Sequence, residues 1–312
     1  MIDKQFIDFV SKKLSIGRQE LIEKDIIIHS ILQELTNDFM FKEAFVFKGG
    51  TCLIKCYFGY YRFSEDLDFT YINQKEFEGK PEKAIRNLLS EKINVIMKLL
   101  SDISFKYGLE FKADKTNNNY IEYGGSNKLV TFKIWYNSTI LNKKTFIKIQ
   151  INFIEKILYP LTIKKVNSII DKNLSKDVSF LFNEYSYLFE SISINAYSLD
   201  EILIEKIRAI MTRKSIKIRD FIDIYFIQKE RNFNLKLLEK KIIYKVQFSL
   251  RYEKYLQNIK NKVEELEQEL VLGKEEALLL KPLPTEFKVF FEEIKLFLVE
   301  CIKNILNITE KD

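Results

Sequence analysis

Two aspartates separated by one residue form the most specific chemical pattern in this sequence. Asp66 and Asp68 flank Leu67, and fourteen residues separate them from the segment Lys-Gly-Gly-Thr at 48–51. On a β-strand, side chains at positions i and i+2 project from the same face, so the two carboxylates would lie together while Leu67 points into the core. Neighbouring carboxylates repel each other unless a cation lies between them, and Mg²⁺ binds one or two protein carboxylates together with water and substrate phosphates. The pattern predicts a site for Mg²⁺ or Mn²⁺ on Asp66 and Asp68.

A glycine pair follows a short apolar segment and opens a predicted helix. Gly49 and Gly50 directly precede Thr51, where the helix is expected to begin. A backbone without Cβ atoms lets a phosphate chain approach closely, and a helix that begins at Thr51 directs free N–H groups toward an anion. A glycine pair alone usually only reverses the chain, and an Asp-x-Asp pair alone is usually solvated. The order strand, glycine pair, helix, acidic strand favours a triphosphate site beside the metal ligands.

The rest of the composition excludes several other kinds of site. His29 is the only histidine, so the sequence lacks the parts of a Ser-His-Asp hydrolase or a multi-histidine metal centre. Cys52, Cys56 and Cys301 form neither an even set nor a CxxC pair, so any catalytic metal should have oxygen ligands. No apolar run reaches the length of a membrane span and the amino terminus lacks the order of a signal peptide, so we expect a cytoplasmic protein without a membrane partner.

The charge balance is mildly basic, with a net charge of +6. Lysine and arginine recur near aromatic residues, most densely over residues 240–255, where Lys240, Lys241 and Lys245 are candidates for RNA contacts. The same lysines would fit a solvated helix face equally well. A polyanionic partner is therefore permitted by the composition and not demanded by it.

Hydrophobic periodicity and turn residues place these motifs on predicted elements. Helices are predicted at 19–38, 51–57 and 81–107, and strands at 45–47, 63–71, 128–136, 145–153 and 191–197. The segments 128–136 and 145–153 should form an antiparallel hairpin, and from Leu199 onward almost everything is predicted to be helical. The sequence therefore predicts an α+β core at 1–195 and a mainly helical domain at 196–312 that contributes to the active cleft.

Three stretches resemble the AbiEii/AbiGii-like nucleotidyltransferase toxins, a family that includes the MenT group and belongs to the DNA polymerase β-like nucleotidyltransferase superfamily. They are KGGTCLIK at 48–55, RFSEDLDF at 62–69 and SLDEILIEKIRAIMTRKSIKIRDFIDIY at 198–225. The first two are shared in outline by many nucleotidyltransferases, whereas the third, with its EK and RD elements, points to this family. The resemblance implies a polymerase β-like core with a mixed sheet.

The resemblance also implies an activity and partners. It implies transfer of a nucleotide from a nucleoside triphosphate to an acceptor, and a bacterial toxin of a toxin–antitoxin or phage abortive-infection system that a separately encoded antitoxin silences. MenT-type relatives add nucleotides to the acceptor end of tRNA, so RNA, and tRNA in particular, is the expected acceptor.

Lys206 lies inside an apolar stripe of the predicted helix that begins at Leu199. At 100° per residue Arg213 lies at the edge of this stripe, and Glu201 lies on the opposite side. The pattern alone leaves two interpretations of Lys206: it extends past its neighbours to solvent, or it reaches an anion in the active cleft. The resemblance favours the second, because family members use a matching lysine for activity. It also assigns an essential acidic position to Asp220, which could pair with Lys206 or Arg213, or orient the acceptor hydroxyl.

One position departs from the superfamily. Many members carry a third metal-binding carboxylate on a later strand, where this sequence has Gln150 and Asn152. A neutral amide weakens the case for two metal ions, although a single Mg²⁺ remains compatible with the pattern. Glu155 lies just beyond and could substitute if the strand contains a bulge.

These observations define a predicted active site. The catalytic residues are Asp66, Asp68, Lys206 and Asp220, and the residues predicted to bind the nucleotide are Lys48, Gly49, Gly50, Thr51, Arg62 and Ser64. Two alternatives stay open at this stage, a nucleotidyltransferase that modifies a small molecule such as an antibiotic, and a degenerate fold retained as a binding module. The preferred base, the oligomeric state and the role of Asp223 are not determined by the sequence.

Overall fold

The structure of the chain is a computed structural model that describes residues 2–125, 127–170, 172–232, 234–268 and 275–309. Two compact units are present, one formed by Met1–Glu155 with Leu161–Ala196 and the other by Lys156–Pro160 with Tyr197–Asp312. We call them the N-terminal unit and the C-terminal unit. Among the residues that the structure describes, every helix is too short or too polar to cross a membrane.

The N-terminal unit contains the sheet, and its helices and strands are interspersed along the chain. They are α1 (Lys4–Leu14), α2 (Gln19–Asn37), α3 (Phe39–Ala44), β1 (Phe45–Lys48), α4 (Gly49–Leu53) continued by a π-helix (Ile54–Phe58), β2 (Asp66–Tyr71), α5 (Glu82–Lys106), β3 (Ile121–Gly124), β4 (Leu129–Ser138), β5 (Lys143–Asn152), β6 (Leu161–Val166), α6 (Ser175–Leu181) and β7 (Ile192–Tyr197). Short 3₁₀ helices lie at Gln74–Phe77, Lys172–Leu174 and Asn183–Phe189.

The strands form one mixed seven-stranded sheet in the order β3-β4-β5-β2-β1-β7-β6. β2 is antiparallel to β1 and parallel to β5, while β4 and β5 form the predicted antiparallel hairpin. Alternation along β5 is strict, since Ile147, Ile149 and Ile151 are fully buried and the residues between them are half-buried. One face of the sheet therefore belongs to the core, and α2 packs against β2 and α5 there.

The helix α5 packs on this core, and its sequence explains why it is helical and which face it buries. Pro81 precedes its first turn, where the missing N–H has no cost. Its buried residues recur three or four positions apart, so they form one continuous apolar face. They are Ile85, Leu89, Ile93, Ile96, Met97, Leu100, Ile103 and Ser104.

Helices predominate in the described part of the C-terminal unit from Leu199 onward. Its helices are α7 (Leu199–Thr212), α8 (Ile218–Arg231), α9 (Leu235–Leu250), α10 (Glu253–Lys260), α11 (Lys262–Glu267) and α12 (Phe287–Thr309), with a 3₁₀ turn at Glu276–Leu278. An aromatic cluster joins α8 to α12, with the Phe221 and Phe291 rings 4.7 Å apart and the Tyr225 and Phe290 rings 5.3 Å apart. The predicted fold class, a mixed sheet with helices followed by a helical region, is confirmed.

Several predicted boundaries were wrong. The helix expected from Thr51 begins at Gly49, and the acidic strand expected from Phe63 begins at Asp66. The strands β3 and β6 were not predicted, because β3 has only four residues and β6 contains the adjacent Lys164 and Lys165.

Candidate active site

Asp66 and Asp68 lie on the face of β2 that is turned away from the apolar core. Both side chains are half-buried, whereas Leu67 between them is completely buried. The alternation of the strand thus produces the arrangement that the spacing predicted. No hydrogen bond or ion pair joins the Asp66 carboxylate to another residue in the part of the chain that the structure describes.

Gly49 is required by the position of Asp68. Its φ angle is +77°, in the region that residues with a Cβ rarely adopt. A Cβ atom on Gly49 would lie 2.3 Å from Asp68 Oδ2, closer than any real contact. The absence of a Cβ atom at Gly49 therefore lets the Asp68 carboxylate approach the start of α4. The sequence pattern did not reveal that Asp68 itself requires a glycine at this position.

Gly50 makes the corresponding space for Arg62. A Cβ atom on Gly50 would lie 2.4 Å from one guanidinium nitrogen of Arg62 and 3.1 Å from Ser64 Oγ. Arg62 is only 2% exposed, and its Nη1 donates a hydrogen bond of 2.7 Å to the carbonyl oxygen of Phe63. The structure thus places this predicted nucleotide-binding side chain beneath the glycine turn.

Thr51 joins the start of α4 to the start of β2. Its buried hydroxyl donates a short hydrogen bond to the carbonyl oxygen of Asp66 and lies 2.9 Å from Ser64 Oγ. Ser64 itself is half-buried. The contacts of the Thr51 side chain hold the acidic strand in place, and its contact with a triphosphate stays a prediction.

The neighbouring strand β5 supplies no third carboxylate beside the acidic pair. In the parallel register Lys148 lies opposite Asp66, and Gln150 lies opposite Asp68. Gln150 Nε2 donates to Thr131 Oγ1 at 3.3 Å, so its carbonyl oxygen is a neutral acceptor. Over the described ranges no group of three or more His, Cys, Asp or Glu side chains is arranged to hold a metal ion.

Glu155, the possible substitute for a third acid, is buried and engaged elsewhere. Asn152 Nδ2 donates to Glu155 Oε2 at 2.7 Å, and Lys48 Nζ lies 3.9 Å from the same oxygen. The backbone N–H of Glu155 donates to Gln74 Oε1 at 2.9 Å. These contacts tie the end of β5 to the 3₁₀ turn after β2.

In the C-terminal unit, Lys206 is enclosed by two buried carboxylates. Lys206 Nζ lies 2.7 Å from Asp220 Oδ1 and 2.6 Å from Asp223 Oδ2, and Arg213 forms a short ion pair with Asp220. Burial by itself would raise the pKa of the Asp220 carboxyl, but the Lys206 ammonium and the Arg213 guanidinium outweigh it and hold this pKa below its ordinary value. The lysine in the apolar stripe thus meets anions of its own chain.

Comparison with known proteins identifies the family. Residues 30–300 match the family described as the nucleotidyl transferase AbiEii toxin of type IV toxin–antitoxin systems. The chain belongs to the AbiEii family. The resemblance predicted from the three motif stretches is confirmed, and with it the assignment of the protein as a nucleotidyltransferase and a toxin whose system includes a cognate antitoxin.

Comparison with solved structures gave two matches to this AbiEii chain. The JHP933 protein of Helicobacter pylori is 19% identical with a TM-score of 0.41, and the match covers 95% of each chain. A protein of H. pylori proposed to be a nucleotidyltransferase is 19% identical with a TM-score of 0.42, covering 95% of the AbiEii chain and 98% of its own. A search of curated proteins found no significant match.

One part of the predicted RNA patch is corrected by the AbiEii structure. Lys245 is completely buried, with its Nζ 2.7 Å from Glu205 Oε1 and in a short ion pair with Glu201. Lys240 and Lys241 are exposed as expected. Helical periodicity places Lys245 one turn beyond Lys241, but it did not reveal that Glu201 is also fully buried and requires a cation.

A cavity of about 410 Å³ lies in the N-terminal unit, lined by residues that include Glu23, Tyr107, Tyr136 and Tyr187. Asp66 and Asp68 are not among its lining residues. This cavity is separate from the predicted catalytic residues of the N-terminal unit.

Proposed function

We propose that this AbiEii protein transfers a nucleotide from a nucleoside triphosphate to RNA in the cytoplasm, with Mg²⁺ or Mn²⁺ bound by Asp66 and Asp68. The observation that carries the proposal is the pair of half-buried carboxylates on one face of β2, of which Asp66 has no partner among the described residues. A carboxylate that the chain leaves without a cation is suited to accept one from solution.

The donor set fits a single hard cation. Asp66 and Asp68 offer carboxylate oxygens, and the amide oxygen of Gln150 on the adjacent strand is neutral. Mg²⁺ needs only one or two protein carboxylates, because it keeps several waters and takes further oxygens from substrate phosphates. Bound by these residues, it supplies positive charge against the phosphate oxygens of the nucleotide.

The chain's own residues then position the substrates. The glycine turn at 49–50 brings the start of α4 beside the acidic pair, so backbone N–H groups there are available to the triphosphate. The acceptor hydroxyl oxygen attacks the α-phosphorus in line, the bond to pyrophosphate breaks, and the hydroxyl proton is lost to solvent or a basic side chain. Lys206 and Asp220 receive their catalytic roles from the family resemblance, and the ion pairs with Asp223 and Arg213 fix their side chains.

An RNA acceptor is supported by the toxin family and by the net charge of +6. The test is to incubate the protein with each nucleoside triphosphate labelled at the α-phosphate, Mg²⁺ and total RNA, and to separate RNA from small molecules. We expect label on RNA, no label after addition of EDTA, and no transfer by the Asp66→Asn variant. Label on a small molecule alone would favour the antibiotic-type alternative, and label nowhere would contradict the proposal.

A further inference from the structure

The outward face of β4 and β5 continues the face that carries Asp66 and Asp68. On these two strands the outward positions include four side chains, Lys133, Trp135, Phe146 and Lys148, that are all half-buried. We call these four residues the β4–β5 strip. It begins at Lys148, directly opposite Asp66 in the parallel ladder, and continues onto β4, the next strand.

Two aromatic rings form the centre of the β4–β5 strip. Trp135 and Phe146 are directly opposite each other in register, with ring centroids 4.7 Å apart. Lys133 Nζ lies 5.7 Å and Lys148 Nζ lies 5.9 Å from the centroid of Phe146. The strip therefore combines flat apolar surfaces with positive charge on one sheet face.

Lys148 differs from the other lysines on this face. Lys133 forms an ion pair with Glu122, and Lys144 Nζ lies 2.7 Å from Glu110 Oε2. Within the described ranges the Lys148 ammonium has no acidic partner, and it lies over the ring of Phe146. The carboxylates of both ion pairs are exposed, so each pair contributes little to the stability of the fold. A phosphate can therefore replace either carboxylate as the partner of the lysine.

We propose that the β4–β5 strip binds the acceptor RNA as a single strand, with Lys148 on a backbone phosphate and the rings of Phe146 and Trp135 stacked on bases. Aromatic side chains on an open sheet face recognise unpaired bases in this way, because every base has an apolar face. The position of Lys148 opposite Asp66 brings the bound strand to the acidic pair. This inference rests on the proposed function, since it assigns the surface on which the RNA acceptor of that reaction lies.

Binding of a fluorescent single-stranded RNA of about twelve nucleotides, measured by anisotropy in EDTA without nucleotide, tests the proposal. Lys148→Gln should weaken binding about fivefold or more and reduce the salt slope by about one. The matched control is Lys143→Gln, which removes the same charge from an exposed position of β5 that alternates with the strip and should bind as the wild type does.

A second variant tests stacking separately from charge. Phe146→Leu keeps an apolar side chain on the strand, so the hairpin should remain folded, and its melting temperature checks this. It should weaken single-stranded RNA binding about fivefold or more without changing the salt slope, because no charge is lost. A double-stranded RNA of the same sequence, whose bases are already stacked, should bind equally to the wild type and to Phe146→Leu.

Three results would overturn the proposal. Lys148→Gln could weaken binding of a Mg²⁺-nucleoside triphosphate and leave RNA binding unchanged, which would assign Lys148 to the nucleotide. Lys143→Gln could weaken RNA binding as much as Lys148→Gln does, or Phe146→Leu could bind RNA as the wild type does. Asp66→Asn should lose transfer and retain RNA binding, so failure of the metal site and failure of the strip give different results.

Discussion

The two acidic clusters of this AbiEii protein are built in opposite ways. On β2, Asp66 and Asp68 are half-buried, and Asp66 has no partner in the described part of the chain. In the helical unit, Asp220 and Asp223 are fully buried, and Lys206 lies within 2.7 Å of an oxygen of each. We call Asp66 and Asp68 the open cluster, because both are half-buried, and Asp220 and Asp223 the closed cluster, because Lys206 neutralises them from within the chain.

Aspartate carboxylates therefore have two different roles in this protein, depending on how deeply they are buried. A half-exposed carboxylate keeps much of its hydration, so it can be left unpaired at little cost in folding. A buried carboxylate without a cation would cost several kcal/mol, so Lys206, together with Arg213 at Asp220, stabilises the folded state by compensating these two charges. Substitutions in the open cluster should therefore affect activity, and substitutions in the closed cluster should affect stability as well.

The largest effect is expected from removing a carboxylate of the open cluster. Asp66→Asn or Asp68→Asn should reduce transfer on the order of a hundredfold or more, because each removes a charge that stabilises the reacting phosphate. For Asp66→Asn the free energy of unfolding should stay within about 0.5 kcal/mol of the wild type. Transfer assays and urea denaturation measure the two quantities. An Asp66→Asn protein that is inactive and also strongly destabilised would show that the open cluster stabilises the fold as the closed cluster does.

The next effect concerns the closed cluster. The apolar stripe alone suggests that Lys206→Met would keep or raise stability, but the ion pairs reverse that expectation. Without the ammonium, two buried carboxylates face each other, so we expect a loss of about 3–5 kcal/mol. Denaturation of Lys206→Met beside the exposed control Lys240→Met checks this. A Lys206→Met protein as stable as the wild type would show that the cluster is solvated.

A smaller loss is expected at the second buried ion pair of the helical unit. Glu201 Oε2 accepts hydrogen bonds of 2.8 Å from the backbone N–H groups of Leu158 and Tyr159, and Lys245 binds its other oxygen. Lys245→Met should therefore cost about 3 kcal/mol, since these backbone donors still compensate part of the Glu201 charge. Lys241→Met is the matched exposed control on the same helix. If Lys245→Met instead weakened RNA binding at unchanged stability, the buried assignment would be contradicted.

The smallest effect concerns His29, an ionisable group that is enclosed and also lacks a partner. Neither ring nitrogen has a hydrogen-bond partner among the described residues, and burial, with the nearby Lys55, lowers the pKa of His29 well below its usual 6.5. The unfolded chain takes up a proton that the folded chain does not. The His29 contribution to stability is therefore complete above pH 6.5 and is lost as the pH falls, by at most about 1.4 kcal/mol per pH unit for one proton.

His29→Leu tests this prediction directly. Because His29 is the only histidine, its replacement should flatten the dependence of the unfolding free energy on pH between about 7.5 and 5.5. Urea denaturation at several pH values measures the slope. An equal slope in both proteins would mean that other groups, such as carboxylates, carry the acid sensitivity.

Local pattern accounts for most of the fold and for the open cluster. The helix α5, the β4–β5 hairpin and the side-by-side position of Asp66 and Asp68 follow from periodicity within one element, which needs no knowledge of the partner. The space that Gly49 leaves for Asp68 could not be predicted, because it depends on two elements that meet only in the folded chain. The same limit applies to Arg62, whose burial depends on Gly50.

The sequence by itself determined which carboxylates share a strand face, that a multi-histidine metal centre lacks its parts, and which family the three motifs resemble. Only the tertiary structure decided that Lys245 is buried against Glu201, that Gln150 stands opposite Asp68, and that Lys148 has no acidic partner in the described chain. The physical reason is that alternation and helical period act over a few residues, whereas the environment of a charge is set by residues distant in sequence. A lysine looks the same in the sequence whether its partner is water, a carboxylate or a substrate phosphate.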